Sequence, residues 1–206
     1  MTPETLRSLL LTVIAEPPSL PTRAYEPENP IIPDDAPVAA AVLVPFILGS
    51  VPSLLLTKQA THLNKHAGQI SFPGGRIDCN DSGPEAAALR EAHEEIALDS
   101  SRVEIFGRVA DFTTDTGYRI TPVIGLLPQS LLFQASPHEV DMVFEFPLST
   151  LLNPNAPRWQ KQHVGGHWRE YWVWPHPDHF IWGATAAIMN HLALSLRLVE
   201  ARGNPS

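Results

Sequence analysis

The stretch Arg90-Glu91-Ala92-His93-Glu94-Glu95 places three glutamates within five residues. Residues three and four apart lie on one face of a helix, so a helix here would bring the carboxylates together. Each like-charge pair at this spacing costs a helix about 0.2–0.5 kcal/mol. A divalent cation on that face would relieve the repulsion, and oxygen ligands suit Mg²⁺ or Mn²⁺. The stretch therefore predicts a helix with a metal-binding face, and a solvated helix face is the alternative.

The residues before this stretch predict a strand, a tight turn and the start of the helix. Gln69–Phe72 has the composition of a short strand and runs into Pro73-Gly74-Gly75. Ser82-Gly83-Pro84-Glu85 offers a serine cap, a proline near the first helical position and a glutamate three residues after the serine. The apolar residues at helical spacing are expected to form the buried face, on a different side from the glutamates: Leu89, Ala92 and Ile96.

The rest of the chain alternates apolar runs of strand length with two helical segments. The predicted helices cover residues 3–15 and 184–200. The predicted strands cover residues 38–48, 53–57, 103–112, 119–127, 142–146 and 167–174. The first two strands are separated by Gly49-Ser50-Val51-Pro52, which predicts a hairpin. Strands outnumber helices, and the helices are scattered among them, which favours an α/β fold with a mixed β-sheet sandwiched between α-helices.

Composition and charge exclude several classes of protein. The formal net charge is −8 and no cluster of Lys and Arg occurs, so we expect no binding to nucleic acid. The longest apolar run, Val38–Leu48, is shorter than the roughly 20 residues of a membrane-spanning helix. No secretory signal is recognisable at the N-terminus, and Cys79 is the single cysteine. These observations favour a cytoplasmic protein that does not associate with membranes.

The order of strand, Phe72-Pro73-Gly74-Gly75, polar loop and acidic helix resembles the Nudix box of the Nudix hydrolases. The family pattern runs Gly, five residues, Glu, seven residues, then Arg-Glu-apolar-x-Glu-Glu-x-Gly-apolar. Here Gly75 opens the pattern, and residues 90–98 match its later half. The chain departs from the pattern at two positions, with Asp81 in place of the first acid and Ala97 in place of the final glycine. One extra residue also separates Asp81 from the arginine.

The aspartate variant of the box resembles that of the coenzyme A pyrophosphatase branch. That branch carries an upstream segment, which this chain matches in frame from Leu55 through Gly68 to Phe72. Gln59 and Asn64 replace the two arginines of the branch pattern, which could grip phosphates bidentately. Lys58 and Lys65 lie one position away and offer point charges instead. Softer matches to the same branch are Thr116-Gly117-Tyr118, Glu139-Val140 and Trp182-Gly183.

The resemblance implies a role for each matching residue. Glu91 and Glu95 would be the principal ligands of Mg²⁺ or Mn²⁺, and Glu94 would contribute directly or through water. Arg90 would hold Glu94 in place, and a box glutamate or Glu139 would act as the general base. Asp81 would take part in the metal site or only shape the loop. The expected substrate-binding residues are Lys58, Lys65, Gly74, Gly75 and Arg76.

The resemblance also implies a reaction. Coenzyme A or its derivatives would be cleaved at the pyrophosphate bond, giving 4′-phosphopantetheine and adenosine 3′,5′-bisphosphate. The alternatives are a Nudix pyrophosphatase for another small-molecule diphosphate, such as a nucleotide sugar or a dinucleotide, and a non-catalytic ligand sensor.

Seven prolines between residues 17 and 37 exclude a helix or a central strand there and favour an extended arm on the domain surface. We therefore divide the chain into an N-terminal helix and proline-rich arm (1–37), a Nudix hydrolase domain (38–200) and a tail (201–206). The arm is one candidate contact surface for a homodimer. The other is the predicted strand at 167–174, where Trp168, Trp172 and Trp174 share one face and are candidates for core or dimer contacts.

Overall fold

The structure, a computed structural model, describes residues 1–22, 25–27, 36–63, 66–114, 116–164 and 167–203. The helices are α1 (Pro3–Ala15), α2 (Pro84–Ile96), α3 (Leu148–Leu152) and α4 (Gly183–Gly203), with a 3₁₀ turn at Ser100–Arg102. The strands are β1 (Tyr25–Pro27), β2 (Val38–Leu48), β3 (Ser53–Gln59), β4 (Ile70–Ser71), β5 (Gly74–Arg76), β6 (Glu104–Arg108), β7 (Phe112–Thr113), β8 (Tyr118–Pro128), β9 (Val140–Pro147), β10 (Arg158–Val164), β11 (His167–Trp174) and β12 (Ile181–Trp182).

A long parallel pair, β2 with β8, forms the centre of the larger sheet. The two strands are in register from Val38 opposite Tyr118 to Leu48 opposite Pro128. Around them the sheet is mixed, with the order β4-β3-β2-β8-β6, and with β5 on β2, β7 on β8 and β9 on β3, all antiparallel. Both strands read as nearly continuous apolar runs because both faces of the sheet are covered. The predicted α/β fold with a mixed sheet between helices is therefore confirmed.

Each face of this sheet has its own hydrophobic cluster. Leu43 and Ile47 of β2 pack on the α2 side, where α2 contributes the small residues Ala87, Ala88 and Ala92. The opposite face packs against α1, α3 and α4, and Val44 and Phe46 belong to that cluster. The predicted buried face of α2 is partly wrong, because Leu89 is only half-buried while Glu95 is buried. Small alanine side chains bring the helix close enough to the sheet to enclose that glutamate.

A second, smaller sheet lies against α4. It has the order β1-β11-β10, with β12 on β11, and all its pairs are antiparallel. The predicted strand at 167–174 is confirmed, whereas its partner β10 and the short helix α3 were not predicted. The tryptophans of β11 run from core to surface, since Trp174 is fully buried, Trp172 half-buried and Trp168 42% exposed. The indole N–H of Trp174 donates to the carbonyl of Ala186 at 3.0 Å, which fixes α4 to this sheet.

Several boundaries differ from the sequence-based expectation. The predicted strand at 103–112 is two strands, β6 and β7, which pair with different parts of β8. The predicted hairpin of β2 and β3 is confirmed only over two residue pairs, and β3 also pairs with β9 along its whole length. Lys65 and Asn64, ten residues of the proline-rich arm (23–24 and 28–35) and the end of the tail (204–206) lie outside the described residues. Among the described helices, none is both long and apolar enough to cross a membrane.

The decrease in burial from Trp174 to Trp168 along β11 predicts unequal effects on stability. Trp174→Ala should lower the free energy of unfolding by about 3–5 kcal/mol, because it opens a cavity in the main cluster and leaves the Ala186 carbonyl without its donor. Trp168→Ala, on the same face of the same strand, should cost less than about 1 kcal/mol. Urea denaturation followed by circular dichroism measures both. Equal losses for the two variants would contradict the described packing.

Candidate active site

The central feature of the site is a glutamate turned inward from α2. Glu95 is 4% exposed. Its Oε2 accepts a hydrogen bond from the backbone N–H of Gly74 at 3.2 Å, and its Oε1 accepts one from Nε2 of Gln59 at 3.1 Å. The helix, β5 and the end of β3 therefore meet at one carboxylate.

Burial makes this carboxylate a weak acid. It raises the pKa of Glu95 to about 7, although the hydrogen bonds from Gln59 and Gly74 act in the opposite direction. Burial also raises the pKa of Glu91, and Arg90 counteracts that effect. The charges of Glu91 and Glu139 raise the pKa of Glu95 further, so Glu139 lies close enough to act on the site. Such a set of carboxylates is chemically suited to a divalent cation, which would compensate their charge.

The two glycines of β5 let the strand and α2 approach closely. Gly74 has φ +154°, and a Cβ there would clash with the backbone oxygen of Ala41 and lie 2.6 Å from Cα of Val42. A Cβ on Gly75 would lie 2.5 Å from the carboxylate carbon of Glu91. Gly74 is thus required by the sheet, whereas Gly75 leaves room for a functional side chain.

Arg90 organises the outer part of the site. Its Nε and Nη2 donate to the two carboxylate oxygens of Asp81 at 3.1 and 3.0 Å. Its Nη1 donates to Glu91 at 2.9 Å and to Glu94 at 3.3 Å, and Nη2 also donates to the carbonyl of Arg76. The pairing with Arg90 lowers the pKa of Asp81, whose side chain is only 7% exposed. Asp81 therefore fixes Arg90 and the loop before α2. Of the two roles expected for Asp81, this corresponds to shaping the loop.

The three box glutamates occupy different environments, contrary to the expected single acidic face. Glu95 is buried, Glu91 is half-buried against Gly75, and the side chain of Glu94 is 49% exposed. Within the described ranges, no three His, Cys, Asp or Glu side chains are already grouped as metal ligands. Arg90 explains this arrangement, because it draws Glu91 and Glu94 to itself and away from Glu95.

A cavity of about 460 Å³ adjoins Glu95. Its lining includes Gln59, Ser71, the two glycines of β5 and Glu95. The larger apolar side chains of the wall are Val42, Ile70, Phe72, Ile120, Trp182 and Ile188, and further polar ones are His66, Gln69, Thr114, Thr116 and Thr185. The cavity therefore combines a buried carboxylate with both apolar and hydrogen-bonding side chains.

Arginines also line this cavity. Arg76 donates to the hydroxyl of Tyr118 at 3.2 Å, and its guanidinium lies 5.8 Å from the centre of the Tyr118 ring. Arg169 of β11 lines the same cavity. These side chains place positive charge beside an otherwise acidic site.

The structure brings together only part of the predicted substrate-binding set. Gly74, Gly75 and Arg76 line the cavity, whereas Lys58 on β3 is not among its lining residues. The sequence analysis did not assign Ser71 to the site, and Tyr118 and Trp182 entered it only as soft motif matches. They come from separate strands and reach the cavity through the pairing of β3 with β4, of β2 with β8 and of β11 with β12.

Comparison with known proteins agrees with this geometry. The sequence profile of the NUDIX domain matches residues 37–180. The chain is 44% identical over 157 residues to a protein of Enterobacter sp. (strain 638) described as an uncharacterized Nudix hydrolase, NudL, and the match covers 76% of this chain and 82% of that protein. The NudL of Escherichia coli (strain K12) is 43% identical over 157 residues, with the same coverage. The chain therefore belongs to the Nudix hydrolase family, whose enzymes act on small-molecule diphosphates and generally use divalent metal ions.

Solved structures share the fold at lower identity. The Nudix hydrolase RenU of M. smegmatis superposes with a TM-score of 0.53 at 21% identity, over 84% of this chain and 91% of that one. A C. elegans Ap4A hydrolase superposes with a TM-score of 0.50 at 17% identity, over 79% of this chain and 96% of that one. Both confirm the predicted Nudix fold.

The buried Glu95 predicts a pH-dependent stability in metal-free protein. The unfolded chain releases this proton near pH 4.5, and the folded chain retains it to about pH 7. The folded state binds more protons in this window, so Glu95 lowers the free energy of unfolding as pH rises through it. Glu95→Gln cannot ionise and should exceed the wild type in stability by about 3 kcal/mol at pH 8, with little difference at pH 4.

Urea denaturation in EDTA at both pH values measures this difference. Glu94→Gln is the matched control, because it makes the same replacement at an exposed carboxylate of the same helix. A difference between Glu95→Gln and wild type that does not grow from pH 4 to pH 8 would contradict the burial argument.

The two glycines of β5 predict distinct phenotypes. Gly74→Ala should destabilise the fold by more than about 1 kcal/mol, because the methyl group meets backbone and φ is positive. Gly75→Ala meets only the flexible end of Glu91, so stability should change little while that carboxylate is displaced. Thermal unfolding combined with a crystal structure of Gly75→Ala tests both statements. A Glu91 side chain in its original position would refute the second.

Proposed function

We propose that this protein is a metal-dependent pyrophosphatase that cleaves coenzyme A or its derivatives to 4′-phosphopantetheine and adenosine 3′,5′-bisphosphate. The observation that carries the proposal is the position of the buried Glu95 carboxylate in the wall of a cavity of about 460 Å³. A diphosphate beside Glu95 would leave room in the same cavity for an attached moiety. The membership in the Nudix family supports the reaction class.

Glu91 and Glu95 would hold Mg²⁺ or Mn²⁺, with Glu94 joining them directly or through water once its side chain leaves Arg90. When bound, the cation neutralises phosphate oxygens and lowers the pKa of a water. Arg90 would keep Glu91 near Gly75, since its guanidinium is itself fixed by Asp81. Main-chain groups of Gly74 and Gly75, together with Arg76, would contact the phosphates.

The general base would accept the proton of the attacking water. Glu139 is the candidate we favour, because its carboxylate is exposed and its charge acts on both Glu91 and Glu95. Glu95 is the other candidate, but both its oxygens already accept hydrogen bonds inside the protein. A base also needs freedom to approach a water, which favours the exposed carboxylate.

The apolar part of the cavity wall suits a coenzyme A derivative. The dimethyl group of the pantetheine arm, or an acyl chain on its sulfur, would gain from burial against side chains such as Ile70, Phe72 and Ile188. The same wall carries hydrogen-bonding side chains, among them Gln69, Thr114 and Thr185, which are the partners that sugar hydroxyls need. The lining therefore supports the first substrate class without excluding a nucleotide sugar.

A second substrate class stays open because of the uncharged Gln59 and Asn64. Gln59 donates to Glu95 and Ser71 and carries no charge that could pair with a phosphate. Arg76 and Arg169 are the arginines that line the cavity within the described residues, and they would hold a nucleotide sugar or a dinucleotide.

A non-catalytic sensor is disfavoured because all three box glutamates are retained. The cytoplasmic location, the homodimer and the domain division stay predictions.

A substrate screen tests the proposal. Purified protein with Mg²⁺ or Mn²⁺ should hydrolyse coenzyme A or an acyl-coenzyme A faster than a nucleotide sugar or a dinucleotide, with the two named products identified by chromatography. Glu95→Gln should lower kcat by at least about 100-fold, since it removes a charge from the metal site. Turnover of another diphosphate without turnover of coenzyme A would establish the second substrate class. An unchanged rate in Glu95→Gln would refute the metal assignment.

A further inference from the structure

Gln59 links the buried carboxylate to the sheet. Its Nε2 lies 3.1 Å from Oε1 of Glu95 and 3.0 Å from Oγ of Ser71. A carboxylate only accepts hydrogen bonds, so the amide must present its NH₂ group to Glu95. Ser71 is in turn 3.1 Å from the hydroxyl of Thr57, which is fully buried. A continuous chain of neutral hydrogen-bonding groups therefore ends at Glu95.

The backbone fixes Gln59 on both sides. Its N–H donates to the carbonyl of Gln69 at 2.9 Å, and its carbonyl accepts from the N–H of Gly68 at 3.1 Å. The pairing of β3 with β9 shifts register between Lys58 and Gln59. Such an irregularity re-aims side chains near the end of a strand. The Gln59 amide is thereby held against Glu95 near the end of α2, and both side chains line the cavity.

The Gln59 amide donates to Glu95 without carrying a charge, and this property distinguishes it from an ion-pair partner. A side chain can orient a buried carboxylate either by an ion pair or by a neutral hydrogen bond. An ion pair also neutralises the carboxylate, which then competes poorly for a cation. A neutral amide fixes the geometry and leaves the full negative charge in place. The second oxygen of Glu95 is likewise held by a neutral donor, the N–H of Gly74.

We propose that Gln59 is a positioning residue that orients Glu95 for the divalent cation without neutralising it, and thereby sets the metal affinity of the site. This inference rests on the proposed function, because it takes Glu95 as a metal ligand. It assigns to Gln59 a role toward the cation rather than toward the substrate. The KM for the diphosphate should accordingly be insensitive to Gln59 at saturating metal.

Two substitutions separate orientation from charge. Gln59→Met keeps the length of the side chain but removes both donors, and should weaken Mn²⁺ binding about fivefold to tenfold. Gln59→Arg keeps a donor and adds a positive charge, and should weaken Mn²⁺ binding by about 100-fold. The arginine should also raise the melting temperature of the metal-free protein, because it pairs with a buried carboxylate. A purely structural role would move metal affinity and melting temperature in the same direction.

The experiment is a calorimetric titration of the full chain with MnCl₂ after treatment with EDTA, together with thermal unfolding and steady-state kinetics. Gln160→Met, on exposed β10, is the matched control and should bind Mn²⁺ as the wild type does. Wild-type affinity in both Gln59→Met and Gln59→Arg would overturn the inference, provided that Glu95→Gln loses affinity. Unchanged Mn²⁺ binding in Glu95→Gln as well would overturn the proposed metal site itself.

Discussion

The packing of α2 against β5 at a carboxylate is the constraint on which the rest of the site depends. Gly74 allows β5 to lie directly on β2, and the alanines of α2 allow the helix to settle on the same sheet. Glu95 is enclosed between them and is held by one backbone and one side-chain donor. A buried charge with only neutral partners is costly. A cation bound beside Glu95 would reduce that cost.

The outer half of the site is organised by the contacts of Arg90. Arg90 reaches Asp81, Glu91, Glu94 and the backbone of the box loop at once, so this loop is tied to the helix through a single guanidinium. Asp81 is nearly enclosed and both its oxygens are used, which makes it a partner of Arg90. Two glutamates are thus paired with an arginine, while the third is buried. The same acidic motif therefore places its carboxylates in two different environments.

The cavity explains how an acidic protein of net charge −8 can accept an anionic diphosphate. Glu95 lines the cavity, where a cation would offset its charge, and Arg76 and Arg169 line it too. The lining comes from both sheets and α4, so its shape depends on the junction fixed by Trp174 and Ala186. Substrate class is consequently a property of the whole domain, whereas the hydrolytic chemistry is a property of the box.

The amino-acid sequence alone determined the Nudix box, the helix that bears it and the long strands, because these features depend on residues close together in the chain. It predicted a site that contains Glu91, Glu94, Glu95, Gly74 and Gly75, and their roles in binding metal and substrate stay predictions. It did not distinguish the buried Glu95 from the exposed Glu94, because a helix face is defined only by what packs on it. The partnership of Gln59 with Glu95, the capture of Arg90 by Asp81 and the contribution of Trp182 were decided by tertiary structure, since strand pairing and sheet contacts join residues that local periodicity cannot relate.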